Sequence, residues 1–293
     1  MKQTGAMFAL CCALIGSASA AFAQATPAKQ VEVYGQKIAY VDGGSGPVVI
    51  LLHGMGANRG IWRATIPALT AGYHVYAIDQ IGFGESDKPL IDYRVGVLSD
   101  FLEEFMNRLD IPRASLVGNS LGGWVAAEFA IQHPGRVDKV ILVDNAGYFV
   151  NRPTRESLAF LNPSTVAGVR EMLERTVADK ARISDALVRR FYAERIKSGD
   201  SYTIDRFVDS LSRGEDFLND RLGSITEPTL VVWGRDDPLI PLSVGETIAS
   251  KIPNARTVVL DHCGHIPSLE CAGNLNLALT KFLASAPDAG KKE

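Results

Sequence analysis

Ala114-Ser115-Leu116-Val117-Gly118-Asn119-Ser120-Leu121-Gly122 is the stretch that decides the fold. A short apolar run, Ala114–Val117, enters the pattern G-x-S-x-G, and a helical pattern over Gly122–His133 leaves it. In that context the serine stands on a sharp strand-to-helix turn, with its hydroxyl lifted clear of the sheet edge toward the helix N-terminus. The flanking glycines are required because so tight a turn leaves no room for side chains. The pentapeptide alone arises by chance. Its place between a strand and a helix is what gives it weight.

On either side of this elbow the chain alternates strands and helices. Val48–Leu52 ends at His53-Gly54, Val75–Ile78 at Asp79, Val140–Val143 at Asp144, Leu230–Trp233 at Gly234 and Thr257–Leu260 at Asp261. Continuous apolar strands of this kind suit a parallel sheet covered on both faces. Helical patterns fall at about Ile61–Thr70, Val95–Leu109, Pro241–Lys251 and Leu269–Leu283. The alternation predicts a doubly wound α/β sheet, whose strand ends are where catalytic groups sit. Before it, Val31–Val41 alternates apolar and polar and meets the turn signal Gly43-Gly44-Ser45-Gly46-Pro47, so a hairpin-like pair is expected to open the domain.

One connection breaks the rhythm. Between Asp144 and Thr229 lie 84 residues, where roughly 20 suffice for a crossover. Asn162-Pro163 precedes a face of Val166, Val169, Leu173 and Val177, and Ser184 precedes Leu187, Val188 and Phe191. A helical cap over residues 148–222 is expected, dividing a core of residues 24–147 and 223–293. The cap's 13 Lys+Arg and 12 Asp+Glu nearly cancel. It is therefore no nucleic-acid arm, and its apolar stripes suit an apolar pocket.

A serine hydroxyl is a weak nucleophile until a base takes its proton, and the base needs an acid to orient it. There are five histidines. His53 fits a structural or oxyanion-loop role, His74 precedes a strand, and His133 ends a helix. His265, in Cys263-Gly264-His265-Ile266-Pro267, follows the final strand, and the chain order Ser, acid, His selects it, with His262 as the alternative. The acid belongs at the end of the strand after the insertion, where Asp236 and Asp237 adjoin. Spacing alone does not choose between them.

With these residues set out, the chain resembles the α/β-hydrolases with a helical cap, especially esterases, lipases and carbon–carbon bond hydrolases. The matching motifs, in the family's order, are His53-Gly54-Met55-Gly56, Asp79-Gln80-Ile81-Gly82-Phe83-Gly84-Glu85-Ser86-Asp87-Lys88-Pro89, the Ser120 elbow, Gly234-Arg235-Asp236-Asp237, and Gly264-His265-Ile266-Pro267-Ser268-Leu269-Glu270. The resemblance implies the α/β-hydrolase fold, a mostly parallel central sheet with helices on both faces and an inserted helical cap. It selects Asp237, the third residue after Gly234, as the acid. It also places the oxyanion hole at the backbone N–H groups of Met55 and Leu121. Asp79 and Ser86 read as turn and loop anchors.

The ends and the composition limit the setting. Lys2, an apolar stretch over Ala6–Gly16 and small residues through Ala23 have the form of a secretory signal peptide over residues 1–23, cleaved after Ala20 or Ala23. Residues 24–30 read as a short disordered leader. Export leaves Cys263 and Cys271 in an oxidising compartment, where a disulfide is permitted, but whether they bond is a matter of geometry. The 293 residues are 46% hydrophobic and 22% charged with a net charge of −3, a globular composition without the basic excess of a nucleic-acid binder. No Cys/His spacing resembles a zinc site.

The leading expectation is a periplasmic or secreted serine hydrolase without cofactor or metal. It cleaves a small-molecule ester or lipid-like substrate through an acyl-enzyme, using Ser120, His265 and Asp237, and has no membrane span once processed. Carbon–carbon hydrolysis of ring-cleavage dienones is the rival. Asn119 before the serine favours it, whereas Ile266, where many such enzymes carry an aromatic residue, and the export signal oppose it. A non-catalytic ligand-binding protein on the same fold would not require all three groups. Relatives that use an Asp nucleophile are set aside by the serine at position 120.

Overall fold

The computed structural model describes residues 28–285; the expected signal peptide lies outside them. Eight strands form one sheet: β1 (Lys29–Val33), β2 (Gln36–Gly43), β3 (Val48–Leu52), β4 (His74–Ile78), β5 (Ala114–Asn119), β6 (Val137–Val143), β7 (Thr229–Gly234) and β8 (Ala255–Leu260). Their order is β1-β2-β4-β3-β5-β6-β7-β8. Only the β1–β2 and β2–β4 pairs are antiparallel.

The apolar strands divide their side chains between the two faces. Ile50, Leu52, Leu116, Leu142, Val231 and Trp233 enter one core, and Val49, Leu51, Val117, Ile141, Val143, Leu230 and Val232 enter the other. This is the period-2 alternation of a strand with both faces buried. Helices α2 (Val95–Arg108), α3 (Leu121–Gln132) and α7 (Leu242–Lys251) cover the first face. The second is covered by α1 (Ile66–Leu69) and α9 (Ala272–Ala284), with Ile61 and Trp62 from a 3-10 turn. Two expected helices are interrupted. Ile61–Thr70 is the 3-10 turn Arg59–Trp62 followed by α1, and Leu269–Leu283 is α8 (Pro267–Glu270) and α9, separated at Cys271.

The opening hairpin differs from its expected form. Its turn is Tyr34-Gly35, with φ of 50° and 74°, and two consecutive positive φ values match the right-handed strand twist of a two-residue hairpin. The Gly43–Pro47 turn leads instead to β3, which is not a neighbour of β2 because β4 lies between them. Lys29 and Gln30, expected in a disordered leader, belong to β1. Lys29 Nζ lies 2.7 Å from Asp42 across the hairpin.

The long connection carries α4 (Val166–Thr176), α5 (Asp185–Ser198) and α6 (Ser201–Arg213). All three lie within residues 148–222, which we propose as the cap segment. Thr165 and Ser184 cap α4 and α5, each side chain accepting an N–H three residues on. Gly199, in the left-handed conformation at φ 65°, ends α5, and α6 starts two residues later. The third helix was not read from the sequence. Its signal is Ile204, Phe207, Val208 and Leu211 at i, i+3, i+4 and i+7, and all four are buried in the first sheet core. By contrast, α4 and α5 bury Val169, Leu173, Ile183 and Val188 in a small cluster of their own.

Candidate active site

Ser120 has φ 53° and ψ −116°, strained for a side-chain-bearing residue. Its neighbours hold the strain in place: Ser120 N–H donates to Val143 O at 3.0 Å, and Ser120 O accepts from Trp124 and Ala146 N–H. A Cβ on Gly118 would stand 2.1 Å from Gly122 O, and one on Gly122 2.2 Å from Leu52 O. The two elbow glycines are thus required by backbone contact.

His265 and Asp237 meet as the sequence expects. His265 Nδ1–H donates to Asp237 Oδ2 at 2.7 Å, with the residues 4% and 8% exposed. Asp237 Oδ1 accepts from Leu239 and Ile240 N–H at 2.8 and 3.0 Å. Asp236 is exposed, as is His262, and Arg235 pairs with Asp261 rather than with Asp236. The base loop is tied to the elbow, since Asn119 Nδ2 donates to His265 O at 3.0 Å and to Val143 O at 3.1 Å.

The Met55 loop lies against the elbow, for a Cβ on Gly54 would stand 3.3 Å from Ser120 Cβ. His53 anchors this loop: its Nε2 accepts Gln80 N–H, and Gln80 Nε2 donates to His53 O. Burial pushes the His53 pKa down, which keeps the ring neutral. Among the described residues, neither Met55 N–H nor Leu121 N–H is spent on an internal backbone acceptor. Asp79 is an anchor, its carboxylate accepting from Arg59 and Glu85 N–H and pairing with the Arg59 guanidinium. Ser86 bridges Asp79 O and Ala39 N–H.

Above the Met55 loop stand Ile204 of α6 and the Arg195 guanidinium of α5, the atoms closest to a Cβ built on Gly56. A groove of about 560 Å³ opens nearby along the seam between α5 and the loops at Asn58–Arg63 and Gly84–Lys88. It carries Arg59, Arg63, Lys88, Glu85 and Lys197, and none of Ser120, Asp237 and His265 lines it. Among the described residues no helix is long and apolar enough to cross a membrane.

Two features at the site escaped the sequence reading, and a third is one that the sequence left open. Cys263 and Cys271 form a disulfide, so the loop bearing His265 is closed at both ends. Glu270 fastens the same loop, accepting Ile266 N–H at 3.1 Å and Ala178 N–H of the insertion at 3.0 Å. Asp144, noted in the sequence only as a strand end, is wholly buried and is joined to Asp237 through Gly234, whose N–H donates to Asp144 Oδ1 and whose carbonyl accepts Asp237 N–H.

The family model for the α/β hydrolase fold matches residues 47–271. The chain belongs to the α/β-hydrolase family. It is 33% identical over 262 residues to a 2-hydroxy-6-oxononadienedioate/2-hydroxy-6-oxononatrienedioate hydrolase of Paraburkholderia xenovorans (strain LB400), covering 84% of this chain and 90% of that protein. Among solved structures, a meta-cleavage product hydrolase from Pseudomonas fluorescens IP01 superposes with a TM-score of 0.79 at 29% identity, covering 87% of this chain and 97% of that one. A membrane phospholipase A, described as a bacterial virulence factor, superposes with a TM-score of 0.80 at 29% identity, covering 88% of this α/β hydrolase and 85% of that chain.

Proposed function

We propose that this α/β hydrolase breaks a carbon–carbon bond beside a ketone in a conjugated hydroxy-oxo acid, with Ser120 as nucleophile, His265 as base and Asp237 as the orienting acid. The observation that carries this reading over the ester reading favoured by sequence is the 33% identity, over 84% of the chain, to a hydrolase named for such a substrate. The Asn119-Ser120 elbow supports it as well. His265 takes the Ser120 proton as Oγ attacks the ketone carbon, and the resulting oxyanion meets the N–H groups of Met55 and Leu121. As the carbon–carbon bond breaks, its electron pair spreads into the conjugated system and the His265 imidazolium returns its proton to the leaving fragment. Water then releases the carboxylic acid from Ser120.

Ester hydrolysis is the second reading. It needs the same nucleophile and oxyanion donors but releases an alcohol directly. Two observations favour it: the likeness to a phospholipase A, and the Cys263–Cys271 disulfide, a bond that persists in oxidising compartments and so agrees with the proposed export signal.

One assay separates the two. Purified protein and S120A are given a ring-cleavage dienone, followed by loss of its chromophore, and p-nitrophenyl esters from acetate to palmitate. Dienone turnover abolished by S120A supports carbon–carbon cleavage. Turnover confined to esters replaces it with the second reading. Failure on both, with no fluorophosphonate labelling of Ser120, removes the serine-hydrolase mechanism.

A further inference from the structure

Asp144 is a buried acid that the mechanism above does not use. It directly follows β6 with φ 42° and is 0% exposed. Its Oδ1 accepts Gly234 N–H at 2.8 Å. Its Oδ2 is buried without an N–H or O–H donor among the described residues. Gly234, whose N–H Oδ1 accepts, also accepts Asp237 N–H through its carbonyl at 3.2 Å, which sets the two acids side by side so that the Asp237 charge bears directly on Asp144. Two carboxylates so placed do not both ionise in a desolvated site; they share a proton.

The hydrogen bonds decide which of them holds it. Asp237 accepts three N–H groups, from Leu239, Ile240 and His265, and Asp144 accepts one. Donors stabilise the charged form, so the charge belongs on Asp237 and the proton on Asp144. That proton satisfies Oδ2, which otherwise lacks a partner. Burial and the Asp237 charge also push the Asp144 pKa well up. The other ionisable groups bearing on the pair are Glu270, whose charge acts in the same direction, and His265, held by Asp237.

We propose that Asp144 is a positioning residue, kept neutral, whose carboxyl proton is donated to the Asp237 carboxylate and fixes it against His265. The pair then carries one negative charge. Asp237 is held on both sides, by Asp144 and by His265, so the imidazole keeps its orientation. The role rests on the serine-hydrolase reading, but not on which bond is cleaved.

The test compares the wild type with D144N and D144A, using the pH dependence of fluorophosphonate labelling at Ser120, which needs no knowledge of the substrate. The Asn amide reproduces a neutral acid, with its oxygen toward Gly234 N–H and its NH2 toward Asp237. The acid limb of D144N is therefore expected at the wild-type pH, and D144A, lacking the donor, is expected to label about tenfold more slowly than D144N. An acid limb in D144N lowered by about one pH unit or more, the effect of removing a like charge in contact, overturns the proposal. Equal labelling of D144A and D144N also overturns it. Infrared spectra give a second readout that does not depend on D144A folding: a protonated carboxyl band present in the wild type and missing from D144N is expected, and identical spectra count against the proposal. If the wild type is not labelled at all, the serine-hydrolase reading has failed, while the infrared comparison still reports the proton.

Discussion

The proposed oxyanion hole uses the backbone of Met55 and not its side chain. The Met55 N–H has no backbone acceptor among the described residues, so under the proposed mechanism M55A is expected to retain most activity, whereas M55P, which removes the donor, is expected to lower kcat by about 10²–10³-fold. Kinetics of the two variants on one substrate check this, and equal losses would remove Met55 N–H from the oxyanion hole. The strained elbow at Ser120 and the Asp237–His265 hydrogen bond could be anticipated from the sequence because the motifs fix them locally: a glycine-flanked turn, a strand end and a loop after the last strand. Asp144 could not. Its significance comes from the β6–β7 pairing, which brings two acids 93 positions apart in sequence to the two sides of Gly234, and nothing local to Asp144 signals it.

At the level of elements, the His265 loop is the part held most firmly. Its ends are joined by the Cys263–Cys271 bond, and Glu270 ties it to Ala178 of the insertion. Closing so short a loop stabilises the fold by about 2–3 kcal/mol in the chain-entropy description. Reduction, or the C263S/C271S pair, is therefore expected to lower Tm and to reduce activity by loosening His265, with the oxidised wild type as reference. Unchanged activity after reduction, with thiol counting to prove it, would show that Glu270 and Asn119 suffice. E270Q keeps an acceptor for one of the two N–H groups and is expected to weaken activity less than E270A, as steady-state rates of the two will show. The parallel strands could be read from the sequence because each contains a short apolar run that ends at a loop, even where, as at Asp138-Lys139 of β6 and Arg256 of β8, the strand also includes charged residues. The hairpin and α6 were harder. Tyr34-Gly35 makes a turn inside an alternating pattern that continues through it, and α6 follows α5 after only Gly199-Asp200, too short a break to separate two helices without attention to the new apolar face.

In the whole molecule, stability is uneven and depends on pH from both sides. Helices α4 and α5 rest on the small Val169, Leu173, Ile183 and Val188 cluster, whereas α6 shares the sheet core. Amides of α4 and α5 are accordingly expected to exchange before those of α6 and the central strands, as hydrogen-exchange mass spectrometry will show. The pH dependence follows from two buried groups. Burial lowers the His53 pKa from its ordinary 6.5, so below that pH the unfolded chain takes up a proton that the native state refuses. Stability therefore falls on acidification from about 6.5. Asp144 acts in the opposite direction. Burial and Asp237 raise its pKa well above the ordinary 3.8, so between those two values the native state holds a proton that the unfolded chain has lost, and stability falls as pH rises through that window. D144N abolishes the second slope and leaves the first. Urea midpoints measured for both proteins across the pH range are therefore expected to agree in their acid decline and to diverge as pH rises, with D144N declining less. Parallel curves at every pH would mean that Asp144 is ionised in the folded protein at the low end of the range, and the neutral partner of Asp237 would have to be abandoned.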